Sequence, residues 1–190
     1  MRDGFFKAFF ALRPREVRET VILSPIVYPS RLGKVKYIRT VLGYLVANLK
    51  ELTFIKTPMT QAAVSDAVLL LSRTKCKQVV FVGAIGGLAK GLKIGDLFRT
   101  NKAKDIHSVN SIHEETRQKM LSLRKKGVVG IDLESRAFFS SARKAGLSAR
   151  AVYVVTDLPL SAPFYVKRTK RQEQRIRSAL DEIIRTCSKG

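Results

Sequence analysis

The 190-residue chain carries 36 Lys and Arg against 15 Asp and Glu, a formal net charge of +21, with 45% hydrophobic residues. Apolar residues spread along a chain of this length build a globular domain with a sizeable core and exclude a disordered polyelectrolyte. No apolar run approaches the roughly 20 residues that a membrane helix needs, so no membrane partner is expected.

Two cysteines, Cys76 and Cys187, make neither a disulfide framework nor a metal-ligand set. Both are expected to be buried or half-buried thiols, and a cytoplasmic location follows as the default. The charge attracts anionic small molecules and polyanions, so nucleic-acid binding stands beside a merely solvated basic surface. Basic residues concentrate moderately over 102–126 and 167–177. No zinc-finger spacing, RNA-binding signature or basic zipper accompanies them, which favours the solvated surface.

In chain order, residues 1–18 place Phe5, Phe6, Phe9 and Phe10 around Lys7. Lys7 interrupts the apolar stretch and no small-residue cleavage site follows, which argues against a secretory signal. The spacing predicts a short amphipathic helix packing its phenylalanines on the body or on a partner subunit. Apolar, β-branched runs follow at 21–27, 52–56, 78–82, 128–133 and 149–155. Short continuous runs of this kind suit strands buried on both faces of a sheet. Helical periodicity alternates with them. It covers 60–72 after the candidate N-cap Thr60, a weaker 113–125, 134–145 before Gly146, and 167–187. This alternation predicts an α/β fold of one domain, 1–190, with a mostly parallel central sheet between helical layers, three layers in all.

The most informative segment is VVFVGAIGGLAKGLKIGDLF, residues 79–98. A buried strand is expected to give way at Gly83 to a ligand-facing turn. Glycines there let the backbone approach a ligand and leave N–H groups free for it. The segment is neither a P-loop nor a dinucleotide fingerprint. On the residues alone, a tight structural connection explains it equally well.

Three ordered segments resemble the nucleoside phosphorylase superfamily. That group includes purine nucleoside phosphorylases, uridine phosphorylases and methylthioadenosine/S-adenosylhomocysteine nucleosidases. VGAIGGLAKGLKIGDL is similar to its "G-[ST]-x-G-G-L … [IV]-G-D" segment. Gly130 to Ser135, GIDLES, resembles "V-[DE]-M-E-[AT]", and Val154 to Asp157, VVTD, resembles "[VI]-S-D". Residues 57–71 are similar to the turn and Ala-rich helix ahead of the glycines.

The resemblance implies a nucleoside phosphorylase-like fold and cleavage of an N-glycosidic bond through an oxocarbenium-like transition state. Glu134 would accept hydrogen bonds from the two ribose hydroxyls, with Leu133 standing where the family usually has Met. Gly83, Ala84, Gly86 and Gly87 would shape the floor, and Asp132 is a further substrate-side candidate. Asp157 takes the place of the Asp that protonates the purine ring, a role that needs a pKa raised by burial. The alternatives are a turn cap before Pro159 for Asp157 and a dipole-favoured helix start for Glu134. No metal or organic cofactor is implied; phosphate would enter only as a co-substrate. Family members are dimers, trimers or hexamers, so a homo-oligomer is expected.

Several departures narrow the reading. Phosphorylases carry an Arg two residues before the first glycine and a Ser or Thr after it; here these are Phe81 and Ala84. The early phosphate loop keeps only Pro29 and Arg31, leaving Arg31 as a candidate anion contact. Nucleosidases use a Glu after the first strand, and 24–30 holds no carboxylate. Residues 97–129 are shortened, and no base-stacking aromatic lies between Phe98 and Gly130. Phe164 and Tyr165 are candidate replacements, while His107 and His113 are expected to be merely exposed. The expected activity is cleavage of a purine nucleoside or related nucleoside, with hydrolysis preferred over phosphorolysis. The alternative is a non-catalytic nucleoside- or nucleic-acid-binding protein on the same fold.

Overall fold

The computed structural model describes residues 3–187, which form one nine-stranded sheet with helices on both faces. At its centre β1 (Thr20–Ser24) runs parallel to β4 (Leu52–Lys56) on one side and to β5 (Gln78–Gly87) on the other. β9 (Ser148–Asp157) runs parallel along the opposite edge of β5. β2 (Ile38–Arg39) and β3 (Leu45–Asn48) extend the sheet antiparallel beyond β4, and β6 (Leu97–Thr100) pairs antiparallel with β9. β8 (Gly130–Asp132) meets β5 antiparallel at Gly86 and Gly87, and β7 (Ile106–Ser108) runs parallel to β8.

Alternation along β5 separates the two faces. Val79, Phe81 and Ile85 pack with α2 (Gln61–Leu71) and α4 (Ser135–Ala145); Val80 and Val82 pack with Ile183 of α5 (Lys170–Cys187). A third cluster seats α3 (Arg117–Lys125) through Met120 and Leu123 on Ile131. The result is the helix–sheet–helix layering expected of alternating elements.

Side-chain caps set the helix starts. The Thr60 hydroxyl accepts the Ala63 N–H at 3.1 Å. Thr116 caps α3 in the same way, so that helix begins at Arg117 rather than at 113. At α5 a reciprocal pair fixes the boundary. The Thr169 N–H donates to Gln172 and the Gln172 N–H donates to the Thr169 hydroxyl, so the helix starts at Lys170 rather than 167. α4 ends on Gly146 in the left-handed conformation, φ 68°.

The N-terminal helix α1 (Asp3–Phe10) packs on its own body. Phe9 and Phe10 are buried against Tyr44 and Phe6 against Phe10, whereas Phe5 remains 46% exposed, so only three of the four phenylalanines are buried. Cys76 is buried, which pushes its thiol up to about 11. The Cys187 side chain lies outside the described residues.

The glycine segment departs from expectation. Gly83, Gly86 and Gly87 belong to β5 itself, and no helix follows; the chain turns at Gly91 and Gly95 into β6. Packing explains the glycines. A Cβ at Gly83 would lie 2.6 Å from the Phe81 ring and 3.2 Å from Tyr153, and one at Gly86 would lie 2.8 Å from Pro159. β2, β3, β6 and β7 are too short, or too polar, to announce themselves locally.

Gly95 is the tightest approach. Its φ is +89°, and a Cβ would sit 2.5 Å from Arg175 Cβ and 3.0 Å from the Arg175 carbonyl carbon of α5. Gly95→Ala is therefore expected to lower stability by about 2 kcal/mol or more, measured by denaturant unfolding, because both backbone strain and overlap must be relieved.

Candidate functional site

The site begins with a gap in the edge of β5. Gly86 pairs with Asp157 of β9 and Ile131 of β8 at once, so β8 lies on the edge that β1 occupies further back. β1 leaves that edge after Phe81 and β8 joins only at Gly86. Residues 82–85 therefore have no paired strand there. Ser24 turns β1 away: its hydroxyl donates to the Val82 carbonyl at 2.7 Å and accepts the Val27 N–H at 2.9 Å. The Thr57 N–H donates to the Ser24 carbonyl at 3.0 Å, so β4 and β1 end together. Ligands of open α/β sheets sit at such carboxyl ends. Within 79–88 only Ala84, in the unpaired stretch, escapes full burial.

Glu134 comes to this gap from β8 through a hydrogen-bonded turn. Asp132 Oδ1 accepts the Ser108 hydroxyl at 2.7 Å, and Oδ2 accepts the Ser135 N–H at 2.9 Å together with the Ser135 hydroxyl. The Ser135 hydroxyl also shares a hydrogen bond with Tyr153, whose residue lies opposite Gly83 in the β5–β9 register. Asp132 thus works within the protein, fixing the first turn of α4. Burial, only partly offset by these donors, pushes its carboxyl up. Gly83 takes part indirectly, since its missing side chain makes the space for Tyr153.

Glu134 itself is 6% exposed, and its Oε1 has no hydrogen-bond partner among the described residues. Burial first, then the Asp132 charge, push its carboxyl up to about 7. Leu133 beside it is half-buried. A second buried orphan, the Thr57 hydroxyl, follows directly after β4. It was hidden in the sequence as one half of a Thr-Pro turn.

Asp157 closes β9, level with Gly86, and is 7% exposed. Burial raises its pKa; the Thr156 hydroxyl and the Arg168 charge partly counteract this. Arg168 anchors itself by donating from Nε to the Thr156 carbonyl at 2.8 Å. Nothing marked Arg168 within the basic run 167–177; only the fold of residues 158–167 returns it to the strand end. Glu115 also stands within reach, its carboxyl raised by burial and then by the Asp157 charge. A cavity of about 220 Å3 beside it is lined by His113, Glu115, Pro159, Phe164 and Tyr165.

Two residues weighed for phosphate contact are engaged within the protein. Phe81 is fully buried, its ring tilted against that of Phe138, centroids 5.0 Å apart, on the α2/α4 face. Arg31 donates to Asp181 of α5 at 2.8 Å, so its anionic partner is part of the protein. Among the described residues no group of three or more His, Cys, Asp or Glu is arranged to hold a metal ion. No described helix is long and apolar enough to cross a membrane.

No family model and no curated protein matches the sequence. Solved structures do match the fold. AMP nucleosidase from Bacteroides thetaiotaomicron VPI-5482 superposes with a TM-score of 0.71 at 16% identity, over 97% of both chains. Uridine phosphorylase from Vibrio fischeri ES114 gives 0.70 at 17% identity, over 97% of this chain and 99% of that one. The P. knowlesi homolog of P. falciparum PNP gives 0.65 at 13% identity, over 94% and 93%. The fold is the nucleoside phosphorylase and nucleosidase fold. This confirms the expected α/β architecture with its mostly parallel sheet; at such identity the likeness is one of fold.

The raised Glu134 pKa has a stability consequence with a definite sign. The folded chain holds a proton near pH 7 that an unfolded Glu, at 4.5, has already released. Its stabilising contribution is complete below pH 4.5 and disappears as pH rises through 7. Glu134→Gln stays neutral. It is expected to match the wild type in unfolding free energy at pH 4 and to exceed it by roughly 2–3 kcal/mol at pH 8.

Proposed function

We propose that the protein cleaves the N-glycosidic bond of a nucleoside, a purine nucleoside or a close relative, with water as the nucleophile. The observation that carries this reading is Glu134. A buried carboxyl with an unpartnered oxygen, beside an unpaired stretch of strand edge, is costly in a folded chain. A pair of vicinal hydroxyls would satisfy it with two donated hydrogen bonds. The shared fold with a nucleosidase and two phosphorylases supports a ribose as the source of those hydroxyls.

In this reading Glu134 works ionised, holding the ribose as positive charge develops on the sugar. Ribose donors would lower its pKa on binding and draw it into the charged form. Asp157 works protonated. Its burial favours the neutral acid, which donates its proton to the departing base as the glycosidic bond breaks. Arg168 stabilises the carboxylate left behind. The two carboxyls thus perform opposite tasks on opposite sides of β5. Water adds to the sugar and its proton passes to solvent, balancing the proton given to the base.

The preference for water rests on what the strand offers phosphate. Phe81 is in the core, Ala84 has no hydroxyl, and Arg31 is engaged with Asp181. Phosphate binding draws on concentrated cationic and hydroxyl donors, and these three positions supply none.

Base release from a panel of purine and pyrimidine nucleosides, with and without phosphate, tests the proposal. Asp157→Asn is expected to lower kcat by about 100-fold or more, the usual contribution of a general acid. Phosphate is expected to leave the rate unchanged. Phosphate-dependent release would replace hydrolysis by phosphorolysis, and no release from any nucleoside would leave a binding protein on this fold.

A further inference from the structure

The site just described leaves the charge of +21 unexplained. Its distribution is uneven in one respect. Of the three arginines that line the groove between β6 and α5, two face a carboxylate and the third, Arg171, has no ion pair among the described residues. Between β6 and α5, Arg99 pairs with Glu182 at 3.0 Å and Arg175 with Asp96 at 2.6 Å. Across from it, Arg31 pairs with Asp181.

The cavity between β7 and the outer side of α4 is different. Its volume is about 740 Å3, within the range of pockets that hold small ligands. Lys104, Arg136 and Arg143 line it, and no Asp or Glu does. None of the three takes part in an ion pair among the described residues, and Arg136 reaches only the Asn110 side-chain carbonyl, at 2.6 Å. Its floor is apolar: Ile106 and Phe139 are buried, and Leu147 flanks them half-buried. His107 also lines it, half-buried rather than merely exposed as its polar surroundings suggested. Burial and the charges of Lys119 and Arg136 hold its pKa down, so the imidazole is neutral in a positive field.

Three like charges around an apolar floor repel one another and are served by no partner in the chain. A ligand that brings negative charge to the rim and an apolar body to the floor satisfies both at once. The two features select against bare inorganic ions, which leave the floor wet, and against neutral apolar compounds, which leave the cations unpaired. We propose that this cavity is a second binding site, separate from the candidate site at Glu134 and Asp157, for a small organic anion: an apolar ring or short chain carrying a phosphate, sulfonate or carboxylate group. The inference does not depend on the nucleoside reading, because no group assigned to that chemistry lines the cavity.

Isothermal titration with 1-naphthyl phosphate tests it on the full chain, on Lys104→Glu/Arg143→Glu and on Asp157→Asn. Lys104 and Arg143 are exposed, so the double variant is expected to unfold at the wild-type temperature. The wild type and Asp157→Asn are expected to bind one equivalent with equal affinity. The charge-reversed variant is expected to bind about tenfold more weakly or worse, since charge-assisted hydrogen bonds are replaced by repulsion. Inorganic phosphate is expected to compete at least about tenfold less well than the aryl ester, having no apolar body for the floor. Equal binding by the charge-reversed variant, or loss of binding in Asp157→Asn alone, overturns the proposal. A short single-stranded oligonucleotide that displaces the probe more effectively than the ester, with a steep dependence on salt, also overturns it in favour of a nucleic-acid surface. So does a change of oligomeric state in the charge-reversed variant, which would make the cavity an interface between copies.

Discussion

Strand β5 is held by β9 from its first residue to its last but one, and that pairing is what the rest of the structure hangs on. The register runs from Gln78 opposite Ser148 to Gly86 opposite Asp157, interrupted by one irregularity after Ile85. It puts Tyr153 against the empty side-chain position of Gly83 and brings Asp157 level with Gly86. Through its hydroxyl Tyr153 then reaches Ser135, and Ser135 reaches Asp132. The turn that presents Glu134 is therefore braced against β5 by an aromatic ring that only a glycine can admit. A residue with no side chain serves the site through the residue that fills its space.

The other edge of β5 carries the complementary constraint. A central strand normally has both edges paired, and exposed N–H and C=O groups are an open invitation to another chain. Here β1 and β8 divide the edge between them and leave residues 82–85 uncovered. Three buried carboxyls end the flanking elements: Asp132 and Glu134 at the end of β8 and Asp157 at the end of β9, all below 9% exposed. Taking each of these acids out of water opposes folding, as its raised pKa records, and the Asp132 charge adds to that cost at Glu134. Functional sites are the usual place where a fold keeps such opposition.

The basic surface answers to a different rule. Exposed charges contribute little to folding, so selection on them is free to serve association. Three cations over α5, Arg31, Arg99 and Arg175, are tied to acids on the same surface, whereas the three that line the β7–α4 cavity have no such partner among the described residues. Net charge alone cannot express that difference. It appears only when each guanidinium is followed to its partner.

The sequence by itself determined the layers and pointed to candidate residues at the strand ends. Apolar runs and helical periodicity depend on neighbours within a few residues, and so do caps such as Thr60 and the stop at Gly146. Glu134 and Asp157 were legible because they stand at the ends of such runs, next to residues of recognisable pattern. The glycines misled for the same reason. Locally Gly83, Gly86 and Gly87 argue for a turn, since glycine is a poor strand former. In the molecule they are strand residues, because pairing with β9, some 70 positions away, outweighs local preference and the missing side chains admit Tyr153 and Pro159. Arg31 was legible as a cation, but its partner Asp181, 150 residues on, was not. Arg168, the Thr57 hydroxyl and the unpaired edge of β5 belong to the same class. Composition and spacing set what each segment prefers to be. Burial and pairing between segments remote in the chain decided which groups were left without partners, and a candidate site is made of such groups.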